Sequence, residues 1–364
     1  MASSLRSYPL KSPVPFFRGA SLFSVFLAAF FAALLSSVVW ALPTEPFTAV
    51  FLSDTHFGKN IKKVAAPDLG ENRGMQNRLR LDEILQRYQI PGDVSAAFHL
   101  EMLPSPPLGL FFCGDLTDGS TSVEIQKTQW ELFSEMYPEE GIEFPGGVAP
   151  VFLGFGNHDG ATDGVVRKRM RGRVKGLKEA GRLSSVSSNG LHYAVQREGI
   201  HFIQLNLVPA DEVDLEKPFR FGKAGAGSFQ DPEGALSFLR QYLSTQVSAD
   251  RDVIFLIHHY GFDPFSTNDW NWWTPTQRDA YRSALCGYRV GAIVHGHDHR
   301  ADAYRWPSPK EPAGPENFQI LDCGQPGWFL DLDAHGYQAF HPAAHAKSPA
   351  FYVARRWQEI TKTL

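Results

Sequence analysis

The residues richest in chemistry stand at the ends of apolar runs. Gly156-Asn157-His158-Asp159 follows the strand-like run 149–155 and is closed by Gly160. An amide, an imidazole and a carboxylate delivered together can hold a cation or move a proton, although the same residue types also make an ordinary polar turn. Four other apolar runs end in metal-ligand residue types. The run 47–52 delivers Ser53-Asp54-Thr55-His56, and Asp54 and His56, two residues apart, share one side of an extended chain. The run 108–113 delivers Gly114-Asp115, and the run 252–257 delivers His258-His259-Tyr260. The run 290–294 delivers His295-Gly296-His297-Asp298-His299, where His297 and His299 again share a side. An Asp-x-His step is a weak signal alone. Three histidines within five residues at a strand end are seldom a core feature.

These groups are far apart in sequence, so the fold must gather them. In open sheets, sites form beyond the carboxyl ends of strands, which is where each group sits. Two carboxylates (Asp54, Asp115), one amide oxygen (Asn157) and four imidazoles exceed the needs of one ion. They suit two ions about 4 Å apart that share a carboxylate.

The remaining elements follow from periodicity and punctuation. Helices are expected over 72–88, 123–136, about 232–247 with Asp231 as N-cap, and 275–286. The stretches 191–196 and 200–208 read as a hairpin around Glu198-Gly199, with His201 structural. Short strands at 319–323, 329–332 and 351–357 could complete a second sheet. Residues 165–182 concentrate Arg167, Lys168, Arg169, Arg171, Arg173, Lys175, Lys178 and Arg182. That cluster is either a solvated helix face or a patch for an anionic substrate or lipid headgroup. The aromatic loop of Phe262, Phe265, Trp270, Trp272 and Trp273 reads as a pocket wall or as simple packing.

The five blocks, in this order, resemble the calcineurin-like metallophosphoesterase superfamily over roughly residues 48–300. The resemblance implies an α/β fold, a four-layer α/β/β/α sandwich of two mixed β-sheets flanked by helices. It implies a dinuclear metal-dependent phosphoester hydrolase, phosphatase or phosphodiesterase, with a metal-bridging hydroxide as nucleophile. Asp54, His56 and His299 would hold the first metal, Asn157, His258 and His297 the second, and Asp115 would bridge them. His258 is preferred to His259 because the family's ligand comes first in such a pair. His158 would meet the leaving group as a catalytic acid, with Asp159 orienting it. Nitrogen and oxygen ligands without Cys suit two divalent or trivalent ions of manganese, iron or zinc. One departure narrows the resemblance: purple acid phosphatases carry tyrosine where this chain has Asp118, so an iron–tyrosinate centre is not expected. A binding or scaffold protein on the same fold with an inactive site is the alternative.

Composition agrees with a globular chain of 364 residues: 43% hydrophobic, 20% charged, net charge -4. That charge gives no general field for nucleic acid, and none is expected as partner; a small phosphorylated substrate is. Residues 1–42 differ from the rest. They carry Arg6, Lys11 and Arg18, no acid, and the apolar run 20–42, long enough to cross a bilayer. They read as a signal peptide or a retained signal anchor, giving possible membrane attachment and a catalytic domain outside the cytosol. Residues 43–46 read as a linker, 47–357 as the catalytic domain and 358–364 as a tail. Cys113, Cys286 and Cys323 make no disulfide framework.

Overall fold

The computed structural model describes residues 43–58, 78, 107–144, 147–159, 164–209, 231–262, 273–306, 318–323, 327–332, 334–342 and 349–363. The leader, the expected helix 72–88 apart from Arg78, and residues 263–272 of the aromatic loop lie outside them. Among the described residues no helix is long and apolar enough to cross a membrane.

Two large sheets carry the site. In the first, β1 (Phe47–Leu52), β2 (Leu110–Phe112) and β5 (Val151–Phe152) run parallel. Antiparallel β13 (Trp328–Leu332), β14 (Gly336–Pro342) and β15 (Pro349–Arg356) extend it beyond β1. In the second, β8 (Ile200–Gln204), β9 (Val253–Tyr260), β10 (Val290–Gly296) and β12 (Phe318–Asp322) run parallel. It is edged by antiparallel β11 (Asp302–Trp306) on one side and by β7 (Tyr193–Arg197) and β6 (Ser185–Val186) on the other. A small hairpin, β3 (Ile142–Phe144) with β4 (Gly147–Ala149), stands apart. The 319–323 piece thus joins the second sheet, whereas 329–332 and 351–357 belong to the first.

Strand alternation sorts the core into three layers. Phe47, Ala49 and Phe51 of β1 meet Val253, Phe255 and Ile257 of β9 between the sheets. The intervening Val50 and Leu52 face α1 (Val123–Met136) and α2 (Val165–Glu179), packing with Phe133, Val166 and Met170. Ile254 and Leu256 face α3 (Ala235–Gln246) and α4 (Pro275–Leu285), packing with Leu239 and Tyr281. The result is the four-layer sandwich. Between the sheets, Phe152, Phe111, Phe202 and Phe255 stack successively at centroid distances of 4.6, 5.1 and 5.3 Å. Truncating one such buried ring to alanine costs about 3–5 kcal/mol.

Helix starts follow local chemistry. Thr274 and Gln277 form a capping box for α4, with Pro at its first turn. α3 begins later than expected: its N-cap is Gly234 in the left-handed region (φ 76°). Asp231 still serves the first turn, because its carboxylate accepts from the Leu236 N–H at 3.0 Å and the Ser237 N–H at 2.9 Å. Thr44 donates to the Glu198 carboxylate through its N–H and its hydroxyl, at 2.6 and 2.7 Å. At the other end the Gly287 N–H donates to the Thr363 carbonyl, and the Thr363 N–H to that of Tyr288, at 2.8 and 2.9 Å.

His192 joins the turn before β7 to the start of α3. Its Nε2–H donates to the Glu233 carbonyl at 2.7 Å, leaving Nδ1 to accept from the Asn206 N–H at 3.0 Å. Burial lowers its pKa from 6.5, against the pull of the Glu233 carbonyl. The unfolded chain therefore binds this proton more tightly than the folded one. Its contribution is full above pH 6.5 and is lost as pH falls below it. His192→Gln should destabilise the fold by about 1–3 kcal/mol at neutral pH. It should also narrow the gap between melting temperatures measured at about pH 7.5 and pH 5.5. An unchanged gap would reject this residue as a source of acid sensitivity.

Candidate metal centre

The five chain segments meet at the carboxyl ends of the parallel strands. Asp54, His56, Asp115 and His299 offer ligand atoms all within 4.8 Å of one another, and so do Asp115, His259 and His297. Asp115 belongs to both groups. Its Oδ2 lies 3.7 Å from His56 Nε2 and 3.3 Å from His259 Nε2. Asp54 Oδ1 lies 3.4 Å from His299 Nε2, and the Nε2 atoms of His56 and His299 face each other at 3.0 Å. Asn157 Oδ1 closes the second group, 2.9 Å from His259 Nε2 and 3.0 Å from His297 Nδ1.

Loop geometry explains why glycines precede the ligands. A Cβ on Gly156 would sit 2.0 Å from Asp115 Oδ1, and one on Gly296 would sit 1.8 Å from Ser53 Oγ and 2.6 Å from Asp54 Oδ2. Only bare backbone lets the strand ends approach this closely. The ligands themselves are strained. Asp54, His56, Asp115, His297 and His299 are all left-handed, with φ of 54°, 44°, 53°, 77° and 56°. That backbone costs roughly 1–3 kcal/mol per residue and tends to gather at functional sites.

One expectation is corrected. The structure places His259, not His258, in the second group. β9 continues through the histidine pair to Tyr260 instead of ending before it. Alternation then carries Val253, Phe255 and Ile257 to the space between the sheets, and His259 with them. A register shift against β10 between Val294 and Gly296 sets three β9 steps against two and re-aims this end of the strand. His258 points to the helix side, its ring 5.5 Å from Phe262 and 5.6 Å from Tyr281. Burial, then the neighbouring His295, pushes its pKa down to about 3.

Asp159 differs too. It accepts from the N–H groups of Gly156, Leu116 and Thr117 at 3.0, 3.1 and 3.0 Å, clasping two ligand loops together. Burial and then Asp115 raise its pKa to about 6, against those backbone donors. His158 is oriented instead by the Asp118 carbonyl, 2.7 Å from Nδ1. A carbonyl only accepts, so Nδ1 carries hydrogen and Nε2 is the other face, 4.0 Å from Asp115 Oδ2. The Asp118 side chain lies 3.4 Å from His56 Nδ1, a buttress for that ring. Beside the ligand loop, His295 Nδ1 meets the Gly296 carbonyl at 2.9 Å and Nε2 meets the Tyr304 hydroxyl at 3.0 Å. His295 is thus committed to hydrogen bonds and stiffens the loop from below.

Electrostatics favour cations here. Burial works to raise Asp54, yet His299 and His259 hold it at about 2. Burial likewise opposes ionisation of Asp115, and His259, His158 and His56 hold it far below the usual carboxylate range. Burial and His259 together push His297 down to about 3, which leaves a neutral imidazole. Ionised carboxylates, a neutral imidazole and an amide oxygen packed this closely are a donor set that could hold metal.

The model of the calcineurin-like phosphoesterase family matches residues 47–301. The chain belongs to that family. No curated protein matches it. Among solved structures, a purple acid phosphatase from yellow lupin (Lupinus luteus) seeds aligns at 13% identity and TM-score 0.49, over 87% of this chain and 55% of that one. The chain thus spans about half the length of that enzyme. GAP50, described as the anchor in the inner membrane complex of Plasmodium, aligns at 11% identity and TM-score 0.42, over 85% and 89%. A predicted phosphoesterase from Streptococcus pneumoniae aligns at 12% identity and TM-score 0.28, over 86% and 99%.

The histidine pair makes a direct comparison. His259→Ala should remove bound transition metal from the purified protein, while His258→Ala should retain it and instead lower the melting temperature, the cost of a buried void being about 2–5 kcal/mol. Metal content measured on both variants decides. Loss of metal with His258→Ala and retention with His259→Ala would restore the opposite assignment.

Proposed function

We propose that this chain hydrolyses phosphoesters of small phosphorylated substrates with two metal ions. Asp54, His56, Asp115 and His299 would hold one, and Asp115, Asn157, His259 and His297 the other. The observation that carries the reading is the buried Asp115, whose carboxylate belongs to both ligand groups. The donor set of imidazole, carboxylate and amide suits manganese, iron or zinc. When bound, such ions would supply Lewis acidity for the phosphate oxygens and a lowered pKa for water.

The chain's own residues do the rest. Asp159 fixes the loops of Asp115 and Asn157 relative to each other, so the ligand groups need not reorganise when substrate arrives. His158 reaches the site by its Nε2 edge and is partly exposed, as a group that meets substrate must be. With Nδ1–H held by the Asp118 carbonyl, a protonated His158 would deliver its Nε2 proton to the departing oxygen. The proton matters most for an alkoxide, which leaves poorly without it.

Asp115→Asn should reduce hydrolysis of an aryl phosphate by more than about a thousandfold and lower metal content, since one residue serves both groups. His158→Ala should slow an alkyl phosphoester by about 10²–10⁴-fold and a nitrophenyl ester much less. Metal-supplemented assays over monoesters, diesters and cyclic nucleotides test both. Near wild-type turnover by Asp115→Asn would end the metallohydrolase reading, and equal losses on the two leaving groups would remove His158 as the acid.

A further inference from the structure

We propose that the outer face of α2 docks on an anionic lipid bilayer. α2 carries seven cationic side chains and a single acid, Glu179. Two of the seven serve the interior. Arg167 Nη2 donates to the Glu233 carboxylate at 2.7 Å, with the guanidinium over the Phe155 ring. Arg173 Nη1 donates to the Tyr137 carbonyl at 2.6 Å, with the guanidinium over Trp130. The other five, Lys168, Arg169, Arg171, Lys175 and Lys178, are exposed, and so is Arg182 just beyond the helix.

Their spacing makes a surface. Lys168, Arg171, Lys175 and Lys178 follow one another by three and four residues. At about 100° per residue they fall within an arc of roughly 80°, along about 15 Å of helix. Val166, Met170 and Val174 are buried and hold a different side of the helix, centred about 120° round from the stripe, on the core. Few acids blunt the stripe. Glu179 pairs with Lys175 at 3.7 Å, but both side chains are well exposed, where such a pair is weak. Glu139 lies beside Gly176, which the helical period sets off the stripe. The patch also runs against the net charge of -4 of the whole chain. A concentration of like charge on an otherwise acidic protein is complementary to a dense anionic surface.

Two features favour lipid over nucleic acid. α2 has no aromatic residue, so the face offers no platform for stacking bases. The apolar run 20–42 is long enough for a bilayer, and only residues 43–46 separate it from β1.

The test compares the full chain, wild type and K168Q/R171Q/K175Q/K178Q, by co-sedimentation with phosphatidylcholine vesicles and with mixed phosphatidylcholine–phosphatidylserine vesicles. Gln stays close to Lys and Arg in helix propensity, so melting temperature should hold. The wild type should bind the mixed vesicles at least about 100-fold more tightly, with the margin shrinking as salt rises, and the variant should lose most of that margin. The charge-preserving K168R/K175R/K178R should bind as the wild type does. The two vesicle types are offered together in competition, so the apolar run, common to all three chains, serves either one alike and only the division of protein between them is read. Equal binding to the two vesicle types, or a preference kept by the glutamine variant, overturns the proposal. Wild-type binding to immobilised heparin without a preference for phosphatidylserine would assign the stripe to a soluble polyanion and overturn it as well.

Discussion

Asp54 and Asp115 are buried together at the meeting of two sheets, each about 1% exposed. Burial works to raise the pKa of both, and Asp115 adds to that effect on Asp54. Taking one carboxylate out of water costs several kcal/mol unless opposite charge and hydrogen bonds repay it. Much of the local architecture answers that demand. His259 and His56 crowd Asp115, His299 crowds Asp54, and the His297 N–H donates to both Asp54 oxygens at 3.2 and 3.0 Å. The strain in five ligand residues is tolerable because the sheets beneath them are rigid and the loops are tied twice over, by Asp159 and by backbone bonds such as Asp54 N–H to the Gly114 carbonyl at 3.0 Å.

The sandwich explains how distant segments can be held to such tolerance. Each ligand loop is the continuation of a strand buried on both faces, so the loop's starting point is set by core packing. The short strands β2 and β5 have three and two residues, yet both lie within the aromatic stack between the sheets. Packing rather than ladder length thus fixes the positions of Asp115 and Asn157.

Much of this was legible in the chain. An apolar run gives way to a ligand residue wherever the core ends and the site begins, and that alternation is local. Asp54, His56, Asp115, Asn157, His297 and His299 each stand at such a boundary, and the fold brings them together. His258 and His259 were not separable by type or by nearest neighbours. The distinction lay in whether β9 stops at Ile257 or runs on to Tyr260, and in a bulge against β10, which only the paired strand reveals. The run 253–257 is apolar on both faces, so its alternation gave no sign of which histidine faces the other sheet. The start of α3 was missed for a similar reason: Asp231 has the chemistry of a cap but reaches it from three residues before Gly234. β11 and β14 were missed because each is defined by its partner: β11 has one hydrophobic-buried residue, Trp306, and β14 mixes Gly, Gln and His.

Asp118 supports the first ligand group from behind. Its carboxylate faces His56 Nδ1 at 3.4 Å, and with Asp115 it helps raise the His56 pKa against the effect of burial. A carboxylate behind an imidazole orients the ring and makes its far nitrogen a better donor without adding a negative ligand to the ion. The first ligand group then holds two carboxylates, one of them shared with the second group, and two imidazoles. Asp118 stands behind that group and holds one of its rings in place, so the group's charge is set by Asp54 and Asp115.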